Sequence, residues 1–296
     1  MTKTVYFAGG CFWGVQHFFS KVQGVTEAVA GYANGLSYEA PSYEQVYTDT
    51  TGFAETVKVV YRPSAISLKE LVELFFCIID PMSLNRQGHD EGTRYRTGVY
   101  YESHEDEAVI RSAFPAECVV ELEPLRCFFP AEERHQDYLE KNPSGYCHLP
   151  LKVFAYVRLY QDLKLILEGE ADEVARMAQI SALIYERMRF FWVGFYRVIG
   201  DQLVLGPFQG SPACFRIGFG KGVCGTAWKE RRTVVVPDVE QFPGHIACSS
   251  LSRSEIVVPV ISGADVTAVL DIDSDELATF DATDALWLAK IANFVV

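Results

Sequence analysis

With 296 residues, 49% of them hydrophobic and 22% charged, the chain has the composition of a folded protein and the length for two domains, each with its own core. Its formal charge of −13 divides into −8 over residues 1–157 (13 Lys/Arg, 21 Asp/Glu) and −5 over residues 158–296 (13 against 18). Neither half offers a basic face to a phosphate backbone, so nucleic acid is not an expected partner.

Residues 4–8 alternate as a short strand, and Gly9-Gly10-Cys11 turn the chain into a helix running to about Val22, with Gly24 as its stop. Residues 55–61 read as a strand. Ser67 and Glu70 form a capping box before the apolar run 68–79, which Asp80-Pro81 ends. Residues 95–101 and 119–129 read as strands, separated by a helix from about His104. A helix over 131–141 leads into the loop 142–147. Strands and helices interleave, the pattern of an α+β domain.

Composition shifts near residues 156–162, which places a domain boundary at 157/158. A helix over 172–188 carries Val174, Met177, Ile180, Ile184 and Met188 along one stripe. Strands then come as hairpins: 191–199 with 202–208 about Gly200-Asp201, and 255–261 with 266–272 about Gly263-Ala264-Asp265. A closing helix starts at the cap Asp281. The expectation is a second α+β domain, an antiparallel sheet with helices on one face. No run approaches the roughly 18 apolar residues of a membrane helix, and no apolar signal core follows Met1; a cytoplasmic protein with no membrane partner is expected.

Eight cysteines are the informative excess: Cys11, Cys77, Cys118, Cys127, Cys147, Cys214, Cys224 and Cys248. In a reducing compartment such residues serve as metal ligands, redox catalysts or nucleophiles when they lie outside a core. No Cys-x-x-Cys pair is present, which weighs against zinc knuckles and thioredoxin-type motifs.

Cys11 stands where a strand ends and a helix begins, and the helix N-terminus favours a thiolate there. Phe12 and Trp13 are placed to wall an apolar pocket for a small methyl-bearing group. Gly10-Cys11-Phe12-Trp13-Gly14 resembles the signature of type A peptide methionine sulfoxide reductases, and the likeness extends over about residues 4–150. It is carried by Gly31-Tyr32-Ala33-Asn34-Gly35, Pro41-Ser42-Tyr43-Glu44-Gln45-Val46, Gly52-Phe53-Ala54-Glu55, the run from Gln87 through Asp90 and Tyr95 to Arg96, and Asn142-Pro143-Ser144-Gly145-Tyr146-Cys147. The sequence departs at Phe53, where the family usually has His, and at His89, where it usually has Asn.

The resemblance implies a two-layer α/β sandwich and a division of labour. Cys11 would attack the sulfoxide sulfur while an acid protonates the oxygen. Glu55 would be that acid, Tyr43 and Tyr95 would hold the oxygen with Asp90 in support, and Phe12 and Trp13 would receive the methyl group. The alternative for Glu55 is a solvated strand-end carboxylate. A sulfenic acid left on Cys11 would be resolved as a disulfide by Cys147, whose loop can move. Cys77, Cys118 and Cys127 read as structural.

In the second half, Cys214 follows a Gly/Ser/Pro loop, Cys224 opens a helix, and Cys248 lies in a loop-like run with His245. A zinc site, structural cysteines and a redox set all remain open from the residues alone. Asp271 and Asp273 share one strand face, with Glu255 on a strand expected to pair. If that face lines a cavity it would bind an ammonium group; otherwise it is a solvated sheet face.

Trp192-Val193-Gly194-Phe195-Tyr196, Leu205-Gly206-Pro207-Phe208-Gln209-Gly210, Gly222-Val223-Cys224-Gly225, Val236-Pro237-Asp238-Val239, Cys248-Ser249-Ser250, Ser254-Glu255-Ile256-Val257-Val258-Pro259 and Leu270-Asp271-Ile272-Asp273-Ser274 resemble the GAF-type free methionine-R-sulfoxide reductases over about residues 172–296. That resemblance implies Cys248 as nucleophile, Cys214 as main resolver and Cys224 as alternate. Trp192 and Tyr196 would line the substrate pocket, and Glu255, Asp271 and Asp273 would hold the free amino acid. Together the two resemblances imply a bifunctional, cofactor-free thiol oxidoreductase fed by thioredoxin or an equivalent dithiol. It would act on oxidised proteins and on free methionine sulfoxide. The rivals make the second domain a small-molecule sensor or a zinc-stabilised structural module.

Overall fold

The computed structural model describes residues 1–246 and 249–296. The chain divides into two compact units, Met1–Phe154 and Ala155–Val296. In the first, β1 (Lys3–Gly9) runs into α1 (Phe12–Ser20), followed by β2 (Val25–Ala33), α2 (Tyr43–Tyr47), β3 (Ala54–Tyr61) and α3 (Leu68–Phe76). A small hairpin of β4 (Arg86–Gln87) and β5 (Asp90–Glu91) precedes a 3-10 turn at Thr93–Tyr95. Then come β6 (Thr97–Tyr101), α4 (His104–Ser112), β7 (Glu121–Pro124), β8 (Phe128–Pro130) and the short α5 (Tyr138–Lys141).

The main sheet has the order β7-β6-β1-β3-β2-β8 and is antiparallel except between β6 and β7. Alternation sends Val5, Phe7, Val57 and Val59 to one side. There Phe7 stacks on Phe19 of α1 at 4.5 Å and meets Phe75 of α3 at 4.9 Å. The opposite face carries Tyr6, Ala8, Ala33, Ala54 and Tyr100, and Leu125 of the β7–β8 connection and Phe128 of β8 cover it. Asn34, buried and left-handed (φ 52°), ties that connection down. Its side chain donates to Pro124 O (3.1 Å) and accepts from Arg126 N (2.8 Å), and its own N–H donates to Cys127 O (3.2 Å).

Three local expectations change. The strand expected over 119–129 is two short strands on opposite edges of the sheet, separated after Pro124, which has no N–H to continue a ladder. The helix expected over 131–141 is a 3-10 turn at Glu133–His135 and then α5, broken at Asp137, whose φ is 52° and whose N–H goes to Gln16 Oε1 (2.9 Å). Tyr95 lies in the 3-10 turn rather than in β6. The sequence reading gave β2 no strand at all. Its Ala28, Ala30, Gly31 and Ala33 are weak strand formers, and Gly31 is required because a Cβ there would stand 2.4 Å from the Phe128 ring and from Phe129 O.

The second unit begins inside α6 (Lys152–Ile166) and continues with α7 (Glu173–Met188), β9 (Trp192–Ile199), β10 (Gln202–Gln209), β11 (Arg216–Gly218), α8 (Gly222–Glu230), β12 (Val234–Val236), β13 (Ser254–Ser262), β14 (Asp265–Ser274) and α9 (Ala282–Ala292). The division at 154/155 precedes the composition shift because α6 is already committed by Tyr156. Its hydroxyl donates to Asp284 Oδ1 of α9 (2.7 Å) and its ring is parallel to Trp287 at 6.1 Å. The sheet order is β11-β10-β9-β14-β13-β12, antiparallel throughout.

Helices cover both faces of this sheet, not one. Val223, Cys224 and Ala227 of α8 pack with Trp192, Tyr196, Val257 and Val269. The alternate residues Val193, Phe195, Ile256 and Ile272 point the other way and are fully buried, on the side taken by α7 and α9. Among the described residues no helix is long and apolar enough to cross a membrane.

Candidate active sites

Cys11 is the N-cap residue of α1 and 6% exposed. Glu55, in β3 opposite Tyr32 of β2, is 2% exposed, and its Oε2 accepts the Phe12 N–H at 2.9 Å. The carboxyl therefore sits on the first turn of the helix that carries Cys11 and is not solvated. Burial pushes Glu55 up to about 8, against the pull of the Phe12 N–H and Arg94; Asp90 adds to the rise. Burial, and then Glu55, also push the Cys11 thiol well up, with the Trp13 N–H opposing. This corrects the sequence expectation of a thiolate, because desolvation outweighs the helix N-terminus here. The resting site holds a neutral acid beside a neutral thiol.

Tyr43 opens α2 behind a Ser42/Gln45 capping box. Its N–H donates to one oxygen of Glu132 (2.9 Å), whose other oxygen accepts the Tyr32 hydroxyl (2.8 Å). Burial, then Glu55, push the Tyr43 phenol up to about 12 and raise Tyr95 as well, so both remain hydrogen-bond donors. Arg94 stacks between Tyr47 (4.2 Å) and Tyr95 (4.4 Å) and pairs with Asp49. Phe12, Trp13 and Tyr43 ring a buried His135, with centroids at 5.5, 5.8 and 4.5 Å, and Trp13 stacks on Tyr138 at 3.7 Å.

Cys147 is half-buried against the first turn of α1. A Cβ on Gly14 would stand 3.2 Å from Cys147 Sγ and 3.1 Å from His148 Cε1, so the bare glycine is what lets the loop seat. One Asp90 oxygen, one His148 ring nitrogen and Cys11 Sγ all lie within 4.8 Å of one another. Of the two departures, Phe53 is buried against Gly35 and Phe129, whereas His89 is exposed at the tip of the β4–β5 hairpin.

In the second unit, strand register builds the other site. Trp192, Asp273 and Glu255 lie in one cross-strand row, Gly194, Asp271 and Val257 in the next, and Tyr196 follows on the same face. Gly194 leaves room for the Trp192 ring, since a Cβ there would be 2.5 Å from it. That ring is stacked on Phe208 at 5.5 Å and donates Nε1–H to Ser211 O (2.9 Å). The face opens into a pocket of about 520 Å³, mouth included, lined also by Cys224, His245 and Ile246.

Glu255 and Asp271 are 5% and 7% exposed, and burial pushes both well up, each carboxyl reinforced by its acidic neighbours. Asp273 is pushed up to about 6 by burial, with Ser252 opposing. Asp271 Oδ1 is buried with no hydrogen-bond partner among the described residues. His245 Nε2 lies 3.6 Å from Glu255 Oε2. Cys224 is buried beside Glu255 and Asp271 in the first turn of α8, whereas Cys214 follows the wall residues 211–213, half-buried. Cys248 lies outside the described residues.

Residues 3–162 match the family described as peptide methionine sulfoxide reductase. The chain belongs to that family. A peptide methionine sulfoxide reductase MsrA of Clostridium botulinum is 50% identical over 156 residues, 50% of this chain and 99% of that protein. Residues 171–295 match the GAF domain. A structure of free methionine-R-sulfoxide reductase from Neisseria meningitidis in complex with its substrate is 51% identical, covering 47% of this chain and 85% of that one, with a TM-score of 0.47. A reduced-form fRMsr of Staphylococcus aureus is 45% identical over 47% of this chain and 92% of its own, with a TM-score of 0.46.

In this reductase the structure gathers Cys11, Phe12, Trp13, Tyr43, Glu55, Asp90, Tyr95 and Cys147 about one helix N-terminus. It also adds His135, Glu132 and His148, which the sequence reading missed. Only the adjacency of His148 to Cys147 could have signalled the last of these.

The raised Glu55 makes opposite-sign expectations for activity and stability. Were Glu55 the acid that protonates the sulfoxide, turnover should fall as pH rises through about 8. Glu55→Gln keeps a donor but no transferable proton and should cost about 10²–10⁴ in kcat. Because the folded pKa lies above the ordinary 4.5, the stability Glu55 contributes is full below about pH 4.5 and is lost as pH rises through 8. Glu55→Gln should therefore raise Tm relative to the parent at pH 9 while activity drops; thermal melts with rate measurements read both.

Proposed function

We propose that the chain joins two methionine sulfoxide reductases, an S-epimer enzyme acting on free and protein-bound substrate in residues 1–157 and a free R-epimer enzyme in residues 158–296. The observation that carries the first is a buried Glu55, bonded to the first turn of the helix that Cys11 caps, where burial pushes its carboxyl up to about 8. As Cys11 sulfur attacks the sulfoxide sulfur, Glu55 gives its proton to the oxygen, and the vacated carboxylate receives the thiol proton. The attack forms an S–S bond; the hydroxyl then passes from the substrate sulfur to the Cys11 sulfur as the S–O bond and that S–S bond break, with the S–S electron pair left on the thioether, so the products are a thioether and a Cys11 sulfenic acid. Tyr43 and Tyr95 donate hydrogen bonds to the oxygen as charge develops, and the Phe12–Trp13 wall holds the methyl group. Cys147 closes the disulfide, and a dithiol such as thioredoxin in a reducing compartment reopens it.

The second site is supported by three carboxyls facing one aromatic-walled pocket, whose described lining also holds the basic residues Lys221 and His245. An arriving ammonium group would sit among the three carboxyls, and Trp192 and Tyr196 take the methyl end. Cys248 is proposed as nucleophile, with Cys214 and Cys224 as resolvers, on sequence likeness. A sensor would not require this set of thiols.

Product chirality tests both halves at once. With a dithiol reductant, racemic free methionine sulfoxide should be consumed completely, and racemic N-acetylmethionine sulfoxide should stop at half with the R-epimer left. A stop at half on the free racemate would remove the second activity. Consumption of the R-epimer alone would remove the first.

A further inference from the structure

His148 is not used by the reaction as described so far, yet it sits at its centre. Its Nε2 lies 3.1 Å from Gly9 O. A carbonyl only accepts, so in the neutral ring the proton is on Nε2 and Nδ1 carries a bare lone pair. That Nδ1 is buried and has no hydrogen-bond partner among the described residues. Ring and thiol share one niche, because the bare face of Gly14 touches Cys147 Sγ, His148 Cε1 and His148 Nδ1 alike, at 3.2, 3.1 and 3.2 Å from a Cβ placed there. Cys11 Sγ and an Asp90 oxygen lie within 4.8 Å of a ring nitrogen.

We propose that His148 is the base and acid of the resolving step, moving the proton of the Cys147 thiol to the hydroxyl leaving Cys11. This rests on the reading of Cys11 as nucleophile and Cys147 as resolver. The need is chemical, because a thiol is a poor nucleophile until it loses its proton and hydroxide is a poor leaving group until it gains one. As the Cys147 sulfur attacks the Cys11 sulfenic sulfur, the S–S bond forms and the S–O bond breaks. Nδ1 takes the thiol proton, and the imidazolium returns it to the departing hydroxide as water. Cys147 is oxidised, Cys11 is reduced from sulfenic acid to disulfide, and His148 ends neutral.

The surroundings suit the role. Burial lowers the His148 pKa, with Asp90 and Gly9 O working against it, so the ring is neutral and ready to accept. Burial raises the Cys147 thiol, so the thiol needs a base. The titratable groups facing the ring are Cys11, Cys147 and Asp90, with Tyr146 beside Asp90; Gln87 and Gly14, also against it, are uncharged.

The test is single turnover of the fully reduced full-length protein with N-acetylmethionine-S-sulfoxide, following N-acetylmethionine and the Cys11–Cys147 disulfide separately. In His148→Gln, whose amide reaches the Nε2 position and can still donate to Gly9 O, and in His148→Asn, the ratio of disulfide rate to reduction rate should fall at least tenfold. A Cys11 sulfenic acid should accumulate and be trapped by dimedone. The disulfide-to-reduction ratio in the variants should climb with pH as the Cys147 thiol ionises, while that ratio in the parent changes little between about pH 6.5 and 8.5. An unchanged ratio and pH profile in both variants would overturn the role of His148. Absence of N-acetylmethionine from the parent would instead overturn the reading of the Cys11 site.

Discussion

Cys11→Ser should abolish reduction of N-acetylmethionine-S-sulfoxide, by at least about a thousandfold, and leave turnover of free methionine-R-sulfoxide largely intact; Cys248→Ser should do the reverse. The size follows from nucleophilicity, since a serine hydroxyl in a site that already holds the Cys11 thiol protonated has no accessible anion. The independence follows from two self-contained residue sets, one built on α1, β3 and the loop at Cys147, the other on α8, β9, β13 and β14. Each epimer is followed by chiral chromatography with a common dithiol reductant. Loss of both activities in folded Cys11→Ser protein would end the two-site reading.

The second large effect concerns the substrate ammonium. Glu255 and Asp273 share one cross-strand row and Asp271 stands in the next on the same face, its Oδ1 buried without a hydrogen-bond partner among the described residues, and an arriving ammonium group stabilises their anionic forms. N-acetylation deletes that cation. Removing one partner of a buried charge pair costs about 3–5 kcal/mol, or roughly two to three and a half decades in binding. Free R-sulfoxide should therefore outpace its N-acetyl form by about that factor, and Asp273→Asn should weaken free substrate severely.

The pH dependence has a definite sign: ammonium pairing needs at least Asp273 ionised, so KM for free substrate should fall as pH rises through about 6. Equal kcat/KM for the free and acetylated R-epimers would mean the carboxyls do not hold an ammonium group.

Much of this was legible before any coordinates. The Gly9-Gly10-Cys11 junction, the Ser67 and Asp281 caps and the two C-terminal hairpins are local signals, and local signals survive folding. The period-two spacing of Asp271 and Asp273 placed both on one face, and pairing with β13 added Glu255. The misreadings came from long-range causes. Burial decided the protonation of Cys11 and Glu55, and burial is not a property of a five-residue motif. The β2 strand is poor in strand formers and holds its place because β3 and β8 pair with it on either side. His135 and His148 are placed by partners over a hundred residues away, Trp13 and Gly9.

Finally, β7 and β8 sit on opposite edges of a six-stranded sheet, yet only residues 125–127 separate them. Four Cα steps reach about 15 Å, whereas five strand spacings across a flat sheet need about 24 Å. The sheet must therefore roll so that its two edges approach at that end. Gly31, Ala33, Ala54, Ala8 and Gly98, on the inward face near the seam, are small enough to permit the curvature. Asn34 then fastens the seam with bonds to Pro124, Arg126 and Cys127. An open sheet of this size would expose two rims able to recruit strands from another molecule. Here one short stitch of chain guards both rims together, so the hazard of intermolecular strand pairing is concentrated in a single hinge of the fold.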